Sequence, residues 1–206
     1  MAFHSFAKTV DHLSSRWQQT NKILLRQVFP LLAQGRSVLP AQLAQIAGYD
    51  VPTVEQALMD GHSDRDNDGN VIELFGITQA PTLHRIQVGP VCLFSCCALV
   101  SHMIPSLLSQ IASIESVDPV GHRLVRLTIS PRGIQSVQPS SAVGTLIITT
   151  EEEVKRDVRS AFCMHVHHLP DSDLAQKFVD ADTRRYVVGI NQFHEAAGQL
   201  TSAIWG

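Results

Sequence analysis

The sequence predicts an α+β protein: a three-helix, winged-helix-like N-terminal region over residues 1–89, followed by a mixed α/β region over 90–206. Three observations predict it. Apolar residues at helical spacing crowd between positions 21 and 61, and an Asp-Gly hairpin signal follows them. Beyond Gly89-Pro90 the composition turns to β-branched runs, with one strongly charged helical segment among them.

The first helix is NKILLRQVFPLLAQG, which starts at Asn21 and stops at Gly35, a residue that accepts the left-handed angles ending many helices. LPAQLAQIAG, from Leu39 to Gly48, and VPTVEQALMDG, from Val51 to Gly61, follow as two short helices. Pro52 sits in the first turn of the latter and Gly61 after its end. The hairpin DRDNDGNVIELFGI turns at Asp68-Gly69, and alternation continues from Leu83 to Val88. Gly89-Pro90 then marks a domain boundary. VRLTISPRGIQSV and VGTLIITT read as strands separated by Pro139 and two serines, with IQSVQPSSAV as the connection between them. EEEVKRDVRSAF reads as a helix whose acids lie at its start and bases toward its end, as the macrodipole favours.

Several function classes fall away. A winged helix reads DNA with its third helix, but VPTVEQALMDG carries Glu55 and Asp60 and no Arg or Lys, so it repels phosphate. The formal net charge of −3 adds no global attraction to nucleic acid or anionic lipid, and neither is an expected partner. Asp64, Asp66, Asp68 and Gly69 match the first half of a calcium loop, yet its closing position, where a bidentate Glu belongs, holds Phe75. That segment is expected to be a solvated turn. With 44% hydrophobic and 17% charged residues the chain can bury a core. MAFHSFAKTVDHLSS lacks a continuous apolar signal region and no apolar run reaches eighteen residues, so a cytoplasmic protein without a membrane partner is expected.

Chemistry concentrates at the cysteines Cys92, Cys96, Cys97 and Cys163, too sparse for a disulfide framework and expected to be reduced thiols. LFSCCALVSHMIP reads as helical up to Pro105, which puts Cys97 near a helix N-terminus, where the dipole favours thiolate. Within that helix Val100 and Ser101 fall one turn from Cys97, while His102 points elsewhere, so no titratable group is spaced to assist it. In FCMHVHHLP, a strand would place Cys163, His165 and His167 on one face as a candidate soft-metal set. Individually, His165 and His167 are better explained as satisfied, partly buried side chains.

These residues resemble a known family, organomercurial lyase, also called alkylmercury lyase. LFSCCALVSHMIP, LTISPRGIQSVQP, VRSAFCMHVHHL and FHEAAG occur in that order after DGNVIELFGIT and carry the resemblance across nearly the whole chain. It implies a helical, winged-helix-like N-terminal region followed by an alkylmercury-lyase-like mixed α/β domain. It implies that Cys97 and Cys163 grip mercury, and it puts Val100 where the family carries a proton-handling aspartate and Cys96 where the family carries tryptophan.

The implied reaction is cleavage of a carbon–mercury bond by thiolate-assisted protonolysis, giving a hydrocarbon and Hg(II). Mercury(II) is soft and prefers thiolates, which push electron density onto the bound carbon; an acid beside it completes the step. Val100 has no proton to give. Three substitutes are open: Cys96 as a third thiol and ligand, Ser101 holding a water, or a distant acid such as Glu195; Cys96 can equally just fill tryptophan's place. No cofactor is implied beyond Hg(II) as substrate or product. The implied partners are an organomercurial, low-molecular-weight thiols and mercuric reductase as Hg(II) acceptor. The alternatives are a non-catalytic soft-metal (Hg or Cu) binder using Cys96, Cys97 and Cys163, and a relative cleaving another carbon–heteroatom bond.

Overall fold

The computed structural model describes the backbone of residues 2–19, 22–60 and 63–205, and side chains within 6–15, 26–60 and 63–204. A helix absent from the sequence reading comes first: α1, Ala2–Gln19, buries Phe6, Val10 and Leu13 along one face. Their i, i+4, i+7 spacing is helical. Next come α2 (Lys22–Ala33), α3 (Pro40–Ala47) and α4 (Val51–Asp60), in agreement with the three predicted helices. Gly48 closes α3 in a left-handed conformation; Asn21 and Gly61, expected at the ends of α2 and α4, lie outside the described residues.

An antiparallel sheet of eight strands follows. Its chain order is β1 (Asp64–Arg65), β2 (Val71–Leu74), β3 (Ile77–Thr78), β4 (His84–Val88), β5 (Val91–Ser95), β6 (Ala112–Val117), β7 (Leu124–Ser130) and β8 (Gly133–Gln138). Its spatial order is β1-β2-β3-β5-β4-β6-β7-β8. Gly89 and Pro90 form the turn joining β4 to β5, with Val88 opposite Val91, so strands from both sides of the expected boundary share one sheet. Asp66 folds its own turn by accepting from the Asp68 and Asn70 amides, and Asp64 bonds Arg159, so this acidic loop is spent on local structure. IQSVQ belongs to β8 rather than to a loop, because its backbone completes a ladder with β7.

Helix α5 (Ala98–Leu108) lies between β5 and β6 and continues past Pro105, where the sequence had suggested a stop. Strand β9 (Val143–Ile147) is the centre of a second antiparallel sheet, flanked by β10 (His168–Leu169) and β11 (Arg185–Gly189). The charged helix is α6 (Glu151–Ala161), opened by a capping box between Thr150 and Glu153. Helices α7 (Ser172–Val179) and α8 (Ile190–Trp205) complete the fold.

Helix α5 packs on the large sheet and against α8, and α8 packs on β9. The close approach of α8 to β9 depends on Gly144, where an added Cβ would stand 2.1 Å from the Phe193 ring. The larger core cluster gathers apolar side chains of α1, α5, α6 and α8 together with Cys97 and Cys163, so these two thiols belong to the core.

Candidate active site

Strand β5 delivers Cys96 and Cys97 to the start of α5. Its alternation leaves Cys92 exposed and Leu93 buried, and after Ser95 the chain bends into the helix. Cys97 is the residue before α5, extended at φ −149° and ψ 162°. The Ala98 amide donates to Val166 O at 3.0 Å, which ties this helix end to the segment just after Cys163.

Cys163 sits in a 3-10 turn, Cys163–His165, not in a strand. The expected alternation of Cys163, His165 and His167 therefore fails, because the tight turn continues the end of α6 instead of extending the chain. His165 is bonded to Ser160 O and to Arg185 Nε, each at 3.0 Å, and His167 to Met164 O at 3.0 Å. Neither joins the cysteines. Among the described residues, one set of three metal-competent side chains has its ligand atoms mutually within 4.8 Å: Cys96, Cys97 and Cys163.

Hydrogen bonds distribute charge unequally within this trio. The Cys96 thiol donates to Cys163 Sγ at 3.2 Å. Hydrogen bonding within the trio, with Cys163 first and Cys96 next, and the Val100 amide at the helix start push the Cys97 thiol well below its ordinary value despite burial. Cys96 is pushed well above it by its bonds to Cys163 and Cys97 and by burial. Cys163 accepts from Cys96, which lowers its value, but donation to Cys97 and burial win and raise it. Ionisation is thus favoured at Cys97 over Cys96 and Cys163.

The room above the trio is shaped by the turn joining β2 to β3. Leu74 faces Ile77 across it, and Phe75 and Gly76 both have positive φ, 58° and 79°, the signature of a type I′ turn. The Cys96 amide donates to Gly76 O at 2.8 Å, and a Cβ on Gly76 would stand 2.6 Å from Cys96 Sγ. Only glycine combines that angle with that approach. A pocket of about 530 Å³, its open mouth included, rises from the thiols between Phe75, Leu99, Val100, Val158, Phe162 and Leu200. Its charged lining residues are Glu73 and Arg159.

Val100 lines this pocket; Ser101 does not, its hydroxyl donating to Ala98 O at 2.6 Å, and Glu195 is exposed on α8. The sequence reading missed Glu73, an acid in phase with buried Val71 on β2 and itself 6% exposed. An acid at an inward strand position was the signal. Arg159 donates to its carboxylate and, at 2.7 Å, to Asp64 Oδ2. Burial raises the Glu73 carboxyl from its ordinary value, and Arg159 only partly offsets it.

A chain of histidines, buried at His84, His168 and His102 and half-buried at His194, was missed as well. His84 Nδ1 lies 2.9 Å from Ser116 Oγ, which lies 2.8 Å from His168 Nδ1. His168 Nε2 lies 2.8 Å from His102 Nε2, and His102 Nδ1 3.3 Å from His194 Nδ1. All four rings can be neutral, with every proton pointing the same way along the chain.

The model of the alkylmercury lyase family matches residues 77–202. An alkylmercury lyase of Staphylococcus epidermidis is 33% identical over 178 residues, covering 86% of this chain and 81% of that protein. One from Streptomyces lividans is 29% identical, covering 88% and 83%, and one from Bacillus cereus 30%, covering 86% and 80%. The fold matches the crystal structure of the mercury-bound form of MerB2 with a TM-score of 0.80 at 17% identity, over 94% of this chain and 99% of that one. With 33% identity over most of both sequences and a family model spanning more than half of the chain, this protein belongs to the alkylmercury lyase family.

Proposed function

We propose that the protein is an organomercurial lyase, which cleaves carbon–mercury bonds by protonolysis to a hydrocarbon and Hg(II). The observation that carries this reading is the trio of thiol sulfurs within 4.8 Å at the floor of an apolar pocket. Three convergent soft donors suit mercury better than a hard cation, and the apolar walls suit its organic group.

Cys97, whose thiol is held low, makes the first bond to the incoming organomercurial. Cys163 makes the second as it gives up its proton, and Cys96 is a third soft ligand within reach of the Hg(II) product. Two thiolates enrich the mercury-bound carbon and make it a better proton acceptor. The chemistry needs no resident cofactor, since thiolates and proton come from the chain. Low-molecular-weight thiols then exchange Hg(II) off the cysteines, with mercuric reductase as a fitting acceptor. A reducing cytoplasm suits a site built on free thiols, and among the described residues no helix is long and apolar enough to cross a membrane.

The test is release of benzene from a phenylmercury salt in excess thiol. Wild type releases it, while Cys97→Ser and Cys163→Ser each lose at least about 100-fold, as expected for removal of a nucleophile. Stoichiometric Hg(II) binding with no benzene from the wild type would make the protein a soft-metal carrier instead.

A further inference from the structure

Protonolysis needs an acid inside the pocket, and Val100 offers none. We propose that Glu73 is that acid and delivers the proton to the carbon leaving mercury; this rests on the lyase reading above.

Among the described residues, Glu73 is the sole carboxylate lining the pocket that the three thiols floor. A metal held by those sulfurs must carry its organic group on the side away from them, inside the same space. The other donors fail on geometry or chemistry. Ser101 is bonded to Ala98 O outside the pocket, Glu195 is exposed outside it, and the Cys96 sulfur belongs to the trio that faces the metal.

The carboxyl group is also positioned. Thr78 stands opposite Glu73 in the ladder, and Arg159 donates to the Glu73 carboxylate. Glu73 lies three residues before Gly76, whose carbonyl accepts the Cys96 amide, so one short hairpin fixes the acid relative to the thiols. An ion pair for Arg159 did not require this arrangement. Asp64, more than half exposed, already provides one, and burying a second acid costs desolvation.

In the step itself, Cys97 thiolate binds R–Hg⁺, and Cys163 passes its thiol proton to the Glu73 carboxylate and binds mercury. The Glu73 carboxylic acid then gives that proton to carbon. The electron pair of the carbon–mercury bond becomes the C–H bond, R–H leaves, Hg(II) remains on two thiolates, and Glu73 is again a carboxylate. No oxidant or reductant is consumed.

The test uses Glu73→Gln, which keeps size and removes the transferable proton. It is expected to take up one phenylmercury per chain and to bind Hg(II) as wild type does, with benzene release lowered about 100-fold or more, the scale of general acid catalysis. A protein–phenylmercury adduct then accumulates and is seen by native mass spectrometry, where wild type shows only the Hg(II) form. Adding Val100→Asp to Glu73→Gln restores a carboxyl group beside the thiols and recovers at least about tenfold of the lost rate. Arg159→Gln loses the ion pair but keeps the acid, so its turnover falls less than that of Glu73→Gln. Wild-type release by Glu73→Gln, loss of phenylmercury uptake together with turnover, or equal losses in Glu73→Gln and Arg159→Gln would each overturn the proposal and leave the lyase reading standing. Absence of benzene from the wild type would sink that reading instead.

Discussion

Cys96 Sγ and Cys163 Sγ lie 3.2 Å apart, although their residues are 67 positions apart in sequence. Little movement is needed to join them, so a dithiol oxidant such as diamide is expected to link Cys96 to Cys163 before any other pair. Two titratable thiols disappear, benzene release stops, and dithiothreitol restores both. Peptide mapping checks the linkage; a Cys97–Cys163 or Cys92-containing product would contradict it.

Gly76→Ala tests the turn over the thiols. The new methyl meets Cys96 Sγ at 2.6 Å and the residue keeps φ near +79°, a conformation costing an L-residue about 1–2 kcal/mol. Hg(II) affinity is expected to fall at least about tenfold as Cys96 is displaced, since each 1.4 kcal/mol is tenfold. Competition titration against a small dithiol measures it. Unchanged affinity would mean that Cys96 is not a ligand.

Acid should unfold the protein early. Burial, and after it neighbouring histidine rings, push His84, His102 and His168 well below their ordinary value, so they are neutral in the native state. Below about pH 6.5 the unfolded chain binds protons that the native chain refuses. This contribution is therefore fully present above about pH 6.5 and is lost as pH falls toward the depressed native values, at up to about 1.4 kcal/mol per histidine per pH unit. The urea midpoint should hold between pH 7 and 8 and drop steeply from pH 6.5 to 5.5. A flat profile there would show that the buried rings accept protons in place.

Gly144→Ala addresses packing alone. Its methyl would overlap Phe193, pushing α8 from β9 at a cost of about 1–3 kcal/mol. The melting temperature should fall by at least about 2 °C. No change would mean that the helix shifts freely, and that α8 is not held against the small sheet by close contact.

Much of this molecule was legible in its sequence. Helices α2 to α4 and α6 follow from local spacing and caps, and Cys97 falls at a helix start because the apolar pattern begins immediately after it. The motifs pointed to the family whose model matches the chain, and the resemblance singled out Cys97 and Cys163 as expected mercury ligands. Local rules failed where three-dimensional neighbours decide. Cys163 adopts a 3-10 turn in a segment that alternation reads as a strand, and α5 runs through Pro105 because its apolar face is buried on the sheet.

The sequence by itself determined the chemistry in reserve: sparse thiols, an apolar residue at Val100 where the resemblance implied an acid, and an α+β frame. Only the tertiary structure decided which groups meet. It placed Cys96 against Cys163, left Ser101 and Glu195 outside, and brought Glu73 from strand β2 into the pocket. The physical reason is that pairing across a sheet and packing of helices on it join residues far apart in the chain, and no spacing rule within one segment reaches that far.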